Sequence, residues 1–139
     1  MRSSVLMLFL TAAVLLVLAG CTTAPPLLTP TLTVPTPEPT QTLPPGQDVT
    51  LQVNQKDPIY DTITVVFAGG EGQIAVTNII VKVTLSDGKT ETKQLQPVKG
   101  EEVRFQGTRE TDRVEAWVTL NTGKTYKTVD TLLPHRTRP

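Results

Sequence analysis

Cysteine, histidine and tryptophan each occur once in 139 residues. A lone Cys21 excludes an internal disulfide, a cysteine-based zinc site and a CxxC redox pair, and a lone His135 excludes a multi-histidine metal centre. Excess charge is missing too. Lys and Arg total 13 and so do Asp and Glu, so no overall field points to nucleic acid or to a cationic partner. Beyond Cys21 the only serine is Ser86, in a turn, while His135 follows Pro134 in the tail, so a Ser-His-Asp hydrolase has no evident site. Neither a cofactor nor a catalytic residue is expected. The length allows one small domain plus tails.

What is there begins with an apolar run. Arg2 precedes Val5 to Leu18, interrupted only by Thr11, and the run closes on Leu18-Ala19-Gly20-Cys21. Val5 to Gly20 is 16 residues, short of the roughly 20 that a membrane-spanning helix needs, and no stop-transfer charges follow. The layout is that of a secretory signal peptide over residues 1–20. Its last four residues resemble the lipobox of prokaryotic lipoproteins, at all four positions. The resemblance implies cleavage between Gly20 and Cys21 and a covalent diacylglycerol or fatty-acyl modification of Cys21. Two acyl chains hold a protein stably at a bilayer where one holds it marginally.

Residues 22–47 contain eight Pro and eight Thr, with Glu38 the only charge and no regular apolar period. Such a segment predicts an extended, disordered spacer in polyproline II, with an upper reach on the order of 80 Å. Its Thr-Pro density suits either O-glycosylation or a bare spacer.

From Asp48 the apolar period becomes two, which predicts an all-β domain over residues 48–133. Candidate strands are Val49 to Gln55, Thr62 to Ala68, Thr77 to Ser86, Lys89 to Gln96, Glu102 to Gln106, Arg113 to Leu120 and Thr125 to Leu132. Asp87-Gly88 supplies a tight hairpin turn and Asn121-Thr122-Gly123 a three-residue loop with glycine in the left-handed position. The strand Lys89 to Gln96 is charged on both faces, which suits a sheet edge. Seven short strands fit a two-sheet β-sandwich, and the strand number and turn spacing resemble immunoglobulin-like or fibronectin-type domains without the paired cysteines. The stretches Ile63 to Lys89 and Asp112 to Leu133 also look like the β domains of archaeal pilin-like envelope proteins. A pilin, however, keeps its hydrophobic helix after processing, whereas a lipobox discards it. Residues 134–139 read as a flexible tail.

Candidate chemistry is sparse. The carboxylate pairs Asp57 with Asp61, Glu101 with Glu102, and Glu110 with Asp112 read as solvated loop groups, the first with calcium binding as the alternative. Gly69-Gly70-Glu71-Gly72 lacks the Lys-Ser/Thr of a phosphate-binding loop and reads as a flexible connection. Trp117 lies on the strand face opposite Val114, Ala116, Val118 and Leu120. With Tyr126 it forms a candidate binding surface for a sugar or a protein; the alternative is that it covers the sheet beside Lys127 or Tyr126, and Tyr60 carries the same ambiguity with less weight.

The expectation is a lipoprotein anchored through Cys21 to the extracytoplasmic face of the cell membrane, or to the outer membrane if the host has two. It displays a non-catalytic β-sandwich to a cell-envelope protein or glycan. The alternatives are a pilin-like assembly subunit and a carbohydrate- or metal-binding accessory of a transporter or enzyme.

Overall fold

The computed structural model describes residues 34–137. The expectations at Gly20 and Cys21, and for residues 22–33, lie outside them. Seven strands follow the alternating segments: β1 (Thr50–Val53), β2 (Thr62–Gly69), β3 (Val76–Thr84), β4 (Thr90–Leu95), β5 (Glu102–Gln106), β6 (Asp112–Leu120) and β7 (Thr125–Leu133). All observed pairings are antiparallel and form two sheets, β1-β2-β5 and β4-β3-β6-β7. The molecule is an all-β sandwich. Its fourth strand lies beside the third, whereas in the constant-type immunoglobulin arrangement the fourth strand shares a sheet with the first, second and fifth.

The two inner faces hold the core. Ile63, Val65 and Phe67 of β2 meet Ile79, Val81 and Val83 of β3 and Val114, Ala116 and Val118 of β6, all fully buried. At about 1.5–3 kcal/mol for each large side chain, this burial is the main force holding the sheets together. Val49, Leu51 and Val53, the alternating apolar residues of the first predicted strand, pack against this core but are only partly buried, and Leu95 and Leu133 are buried in addition.

Both edges of the larger sheet are protected. β4 lies at one edge with four of its six residues exposed, as its charge pattern predicts. From β4, Lys93 reaches across to β5, where its Nζ donates to the Arg104 carbonyl at 2.5 Å and lies 4.9 Å from the Phe105 ring centroid. At the other edge, β7 is covered by the chain preceding β1. Gln41 N donates to the Lys127 carbonyl (2.7 Å), Lys127 N donates to Gln41 Oε1 (2.9 Å), and Leu43 is buried in the core.

This strap corrects the expectation of a disordered spacer up to Gln47. A single leucine and one amide suffice because β7 offers unpaired backbone groups beside an open margin of the core. Glu38 N contacts Asp130, Gln41 contacts Lys127, and Gln47 lies against Gly72, so the strap runs antiparallel to β7. The chain therefore reaches the sandwich at the end that also holds the β1–β2 loop, the β3–β4 hairpin, the β5–β6 loop and the residues after Leu133. This is the entry end of the sandwich.

The Gly-Gly-Glu-Gly segment is also corrected, from flexible connection to close contact. A Cβ at Gly70 would lie 2.2 Å from the Asp48 carbonyl oxygen, and one at Gly72 would lie 2.2 Å from the Gln47 carbonyl group. Gly72 N donates to Asp48 O at 3.0 Å. The glycines let the two backbones touch where the strap turns into β1.

Candidate functional site

The entry end is organised around a buried charge. Lys56, just after β1, and Asp112, at the start of β6, have no side-chain exposure, and Nζ lies 2.6 Å from Oδ2. The ammonium also donates to the carbonyls of Thr108 (2.9 Å) and Glu110 (2.5 Å). Asp112 Oδ1 accepts from Ser86 N and the Thr108 hydroxyl, and Oδ2 accepts from Thr108 N. Every proton of the ammonium and both carboxylate oxygens are engaged, which a buried pair needs to offset the cost of leaving water. Three connections, after β1, β3 and β5, are thereby fastened to one point.

Above this root the β1–β2 loop is held tightly. Asp57 Oδ1 accepts from Ile59 N (2.9 Å) and Tyr60 N (2.8 Å), and these two bonds, Tyr60's the stronger, hold its carboxyl below the ordinary carboxylate range. Gln106 Nε2 donates to the Tyr60 carbonyl at 2.6 Å. Asp61 then takes a left-handed φ of 54°, a region that Asp tolerates better than most residues, and its carboxylate lies 2.7 Å from His135 Nδ1. Asp57 and Asp61 thus serve separate partners and do not converge as a calcium pair would require. His135 corrects the expected free tail: Asp61 draws the residue after Pro134 onto the domain.

Two adjoining depressions flank the loop and share Gln55, Lys56 and Arg136. One, of about 470 Å³, extends to Leu132, Pro134 and His135. The other, of about 500 Å³, is lined by Asn54, Asp57, Tyr60, Thr62, Thr64 and Arg104. Thr64 and Arg104 are register partners on the outer face of the smaller sheet. Tyr60 is 70% exposed although its backbone is held on both sides.

A second polar assembly covers the outer face of the larger sheet. Arg113 binds Asp130 through two bonds, Nε to Oδ1 at 2.7 Å and Nη2 to Oδ2 at 2.6 Å. Lys127 lies 2.5 Å from Asp130, 2.8 Å from Glu115 and 3.0 Å from Glu38 of the strap, and Glu115 also meets Lys82 at 2.6 Å. The Arg113 bonds hold Asp130 far below the ordinary carboxylate range. Burial alone would lower Lys127, but its three carboxylate partners raise it well above the usual lysine range. Burial would likewise raise Glu115, and the Lys127 and Lys82 bonds overcome it and lower the carboxyl.

Trp117 belongs to this assembly. It is half-buried, with Lys82 Nζ 5.2 Å and Lys127 Nζ 5.6 Å from the ring centroid. This is the covering role named as the alternative, with a second cation added. Tyr126 does not join it. A bulge at Thr128 sets Lys127 opposite Trp117 and Tyr126 opposite the buried Val118, so Tyr126 packs on the core side of the sheet. A shared Trp117–Tyr126 binding face is therefore corrected. The strand period alone does not reveal it, because the pairing depends on where the bulge falls.

Tyr60 shares in the sequence the bind-or-pack ambiguity of Trp117, and its exposed ring leaves the binding reading open; Lys56 carries no sequence signal that singles it out and sits in a polar stretch that reads as loop. Among the described residues, no three His, Cys, Asp or Glu side chains gather as a metal site. No protein-family model matches the chain, and no curated protein matches it.

Proposed function

We propose that this protein is a lipid-anchored extracytoplasmic lipoprotein that displays its β-sandwich as a non-catalytic binding module at the cell envelope. One observation carries the anchor: the only cysteine directly follows a 16-residue apolar-to-small segment that ends in Leu18, Ala19 and Gly20. A thiol at that position accepts a diacylglycerol thioether, and small residues before it admit the extended chain to a peptidase.

The non-catalytic assignment is supported by how the polar side chains are spent. His135 holds Asp61, Ser86 lies 3.0 Å from the Thr108 hydroxyl, and Asp112 is saturated. None is left as a base beside a free nucleophile. The strap supports display at short range. With the chain held on β7 from Glu38, residues 22–37 separate Cys21 from the sandwich, and at about 3.1 Å per residue their upper reach is on the order of 50 Å. At the larger sheet, the edge-to-edge self-association that a pilin-like subunit would need meets Gln41 on β7 and the charged β4.

The test is fractionation of the native host expressing the chain or Cys21→Ser. The wild type sediments with membranes and is released by detergent, and the variant is recovered in the soluble fraction. Equal partitioning of both would refute the anchor.

A further inference from the structure

The larger depression at the entry end has a composition that selects a ligand class. It combines two guanidiniums (Arg104 and Arg136), one carboxylate (Asp57), two amides (Asn54 and Gln55), two threonines, and the exposed ring of Tyr60. A purely cationic patch would suit any polyanion. Here Asp57 stays ionised inside the same depression, because the Tyr60 and Ile59 amides stabilise its charge, and it repels a ligand charged all along its length. Amides and hydroxyls exchange hydrogen bonds with a polyol, and an aromatic face packs against the C–H surface of a sugar ring.

Arg104 is available for an anion. Its partner Glu102, at 2.5 Å, forms an exposed surface pair, which is worth little and is readily exchanged. Tyr60 is also prepared, since its loop is fixed by Asp57, Gln106 and the buried Lys56–Asp112 pair, so little ordering is lost on binding. At about 500 Å³ the depression accommodates one or two sugar residues.

We propose that this depression binds an acidic sugar, a uronic-acid-type residue whose carboxylate meets Arg104 and Arg136, whose hydroxyls meet Asp57, Asn54 and Thr64, and whose ring packs on Tyr60. The inference rests on the extracytoplasmic assignment only for where such a glycan would be met. Binding by the purified chain does not depend on the lipid, so the two fail separately.

The experiment uses the chain from residue 21 onward with Cys21→Ser, isotopically labelled and titrated with cellobiouronate, a disaccharide with one carboxylate, with cellobiose as the uncharged control. Saturable shifts centred on Asn54, Tyr60, Thr64 and Arg104 are expected, with a dissociation constant on the order of 1 mM or tighter and at least tenfold weaker binding of cellobiose. Arg104→Gln and Tyr60→Ala, both exposed and neutral to folding, each weaken binding about tenfold or more; their thermal transitions verify the fold. Equal binding of both sugars, no saturable shift, or binding unaffected by both substitutions overturns the proposal. So does binding to phosphatidylglycerol vesicles through the same residues without any response to cellobiouronate, since the ligand would then be a phospholipid surface.

Discussion

Lys56 and Asp112 meet at 2.6 Å with neither side chain exposed, and they join the segment after the first strand to the start of the sixth. Together with the Ser86 and Thr108 donors they make one polar node that fixes the loops of the entry end. The depression carrying Tyr60 and Arg104 is built on that node.

Removing either partner strands the other charge in the interior. Lys56→Met or Asp112→Leu alone is expected to cost about 3–5 kcal/mol, measured by urea unfolding. Lys56→Met combined with Asp112→Leu costs less than the sum of the two single losses, because no uncompensated charge remains, although the Ser86 and Thr108 donors lose their acceptor. Single-variant losses below about 1 kcal/mol would show that the pair is not buried as described.

Acid sensitivity belongs to the other assembly. Asp130 and Glu115 are held below their ordinary values of 3.8 and 4.5, so they contribute stability that is present above those values and lost as pH falls through the folded-state values. Lys127 is raised above its ordinary 10.5, so its contribution is complete below that pH and lost only above it. Stability is expected to plateau between about pH 4.5 and 10.5 and to fall on the acid side. Asp130→Asn, compared with wild type by denaturant unfolding at pH 3 and pH 7, lowers the plateau and flattens the acid limb. An unchanged acid limb would assign the dependence elsewhere.

The strap is a structural element rather than a leash. Leu43→Ala is expected to destabilise the domain by about 2–3 kcal/mol, near the low end for a core leucine because the site lies at the margin of the core. Glu38→Ala, which removes a 70%-exposed carboxylate from Lys127, is expected to cost less than about 1 kcal/mol. If Leu43→Ala were as mild as Glu38→Ala in chemical denaturation, the strap would not be part of the folded unit.

Much of the architecture was legible because a sandwich imposes a period of two wherever one face is buried. Ile63, Val65 and Phe67 or Val114, Ala116 and Val118 need no partner to be recognised. Glycine at positions 88 and 123 marks the two hairpins through its left-handed φ of 83° and 77°. The features that position the candidate site were hidden for identifiable reasons. Leu43 is one of four leucines without a regular period in the Pro/Thr segment, and its burial depends on the place it finds beside β7. Lys56 is a lysine between Gln55 and Asp57, and only the fold reveals that Asp112, 56 positions away, neutralises it. His135 is held by Asp61 across a similar gap, and the bulge at Thr128 parts Tyr126 from Trp117. Periodicity reports which way a side chain faces; it does not report which distant residue will be waiting there.

The central proposal concerns residue 21, and the mass of the N-terminal peptide of protein isolated from its native membrane tests it most directly. The expected peptide starts at Cys21 and carries the added mass of a diacylglycerol thioether. A peptide starting at Met1, or one bearing an unmodified Cys21, would contradict it.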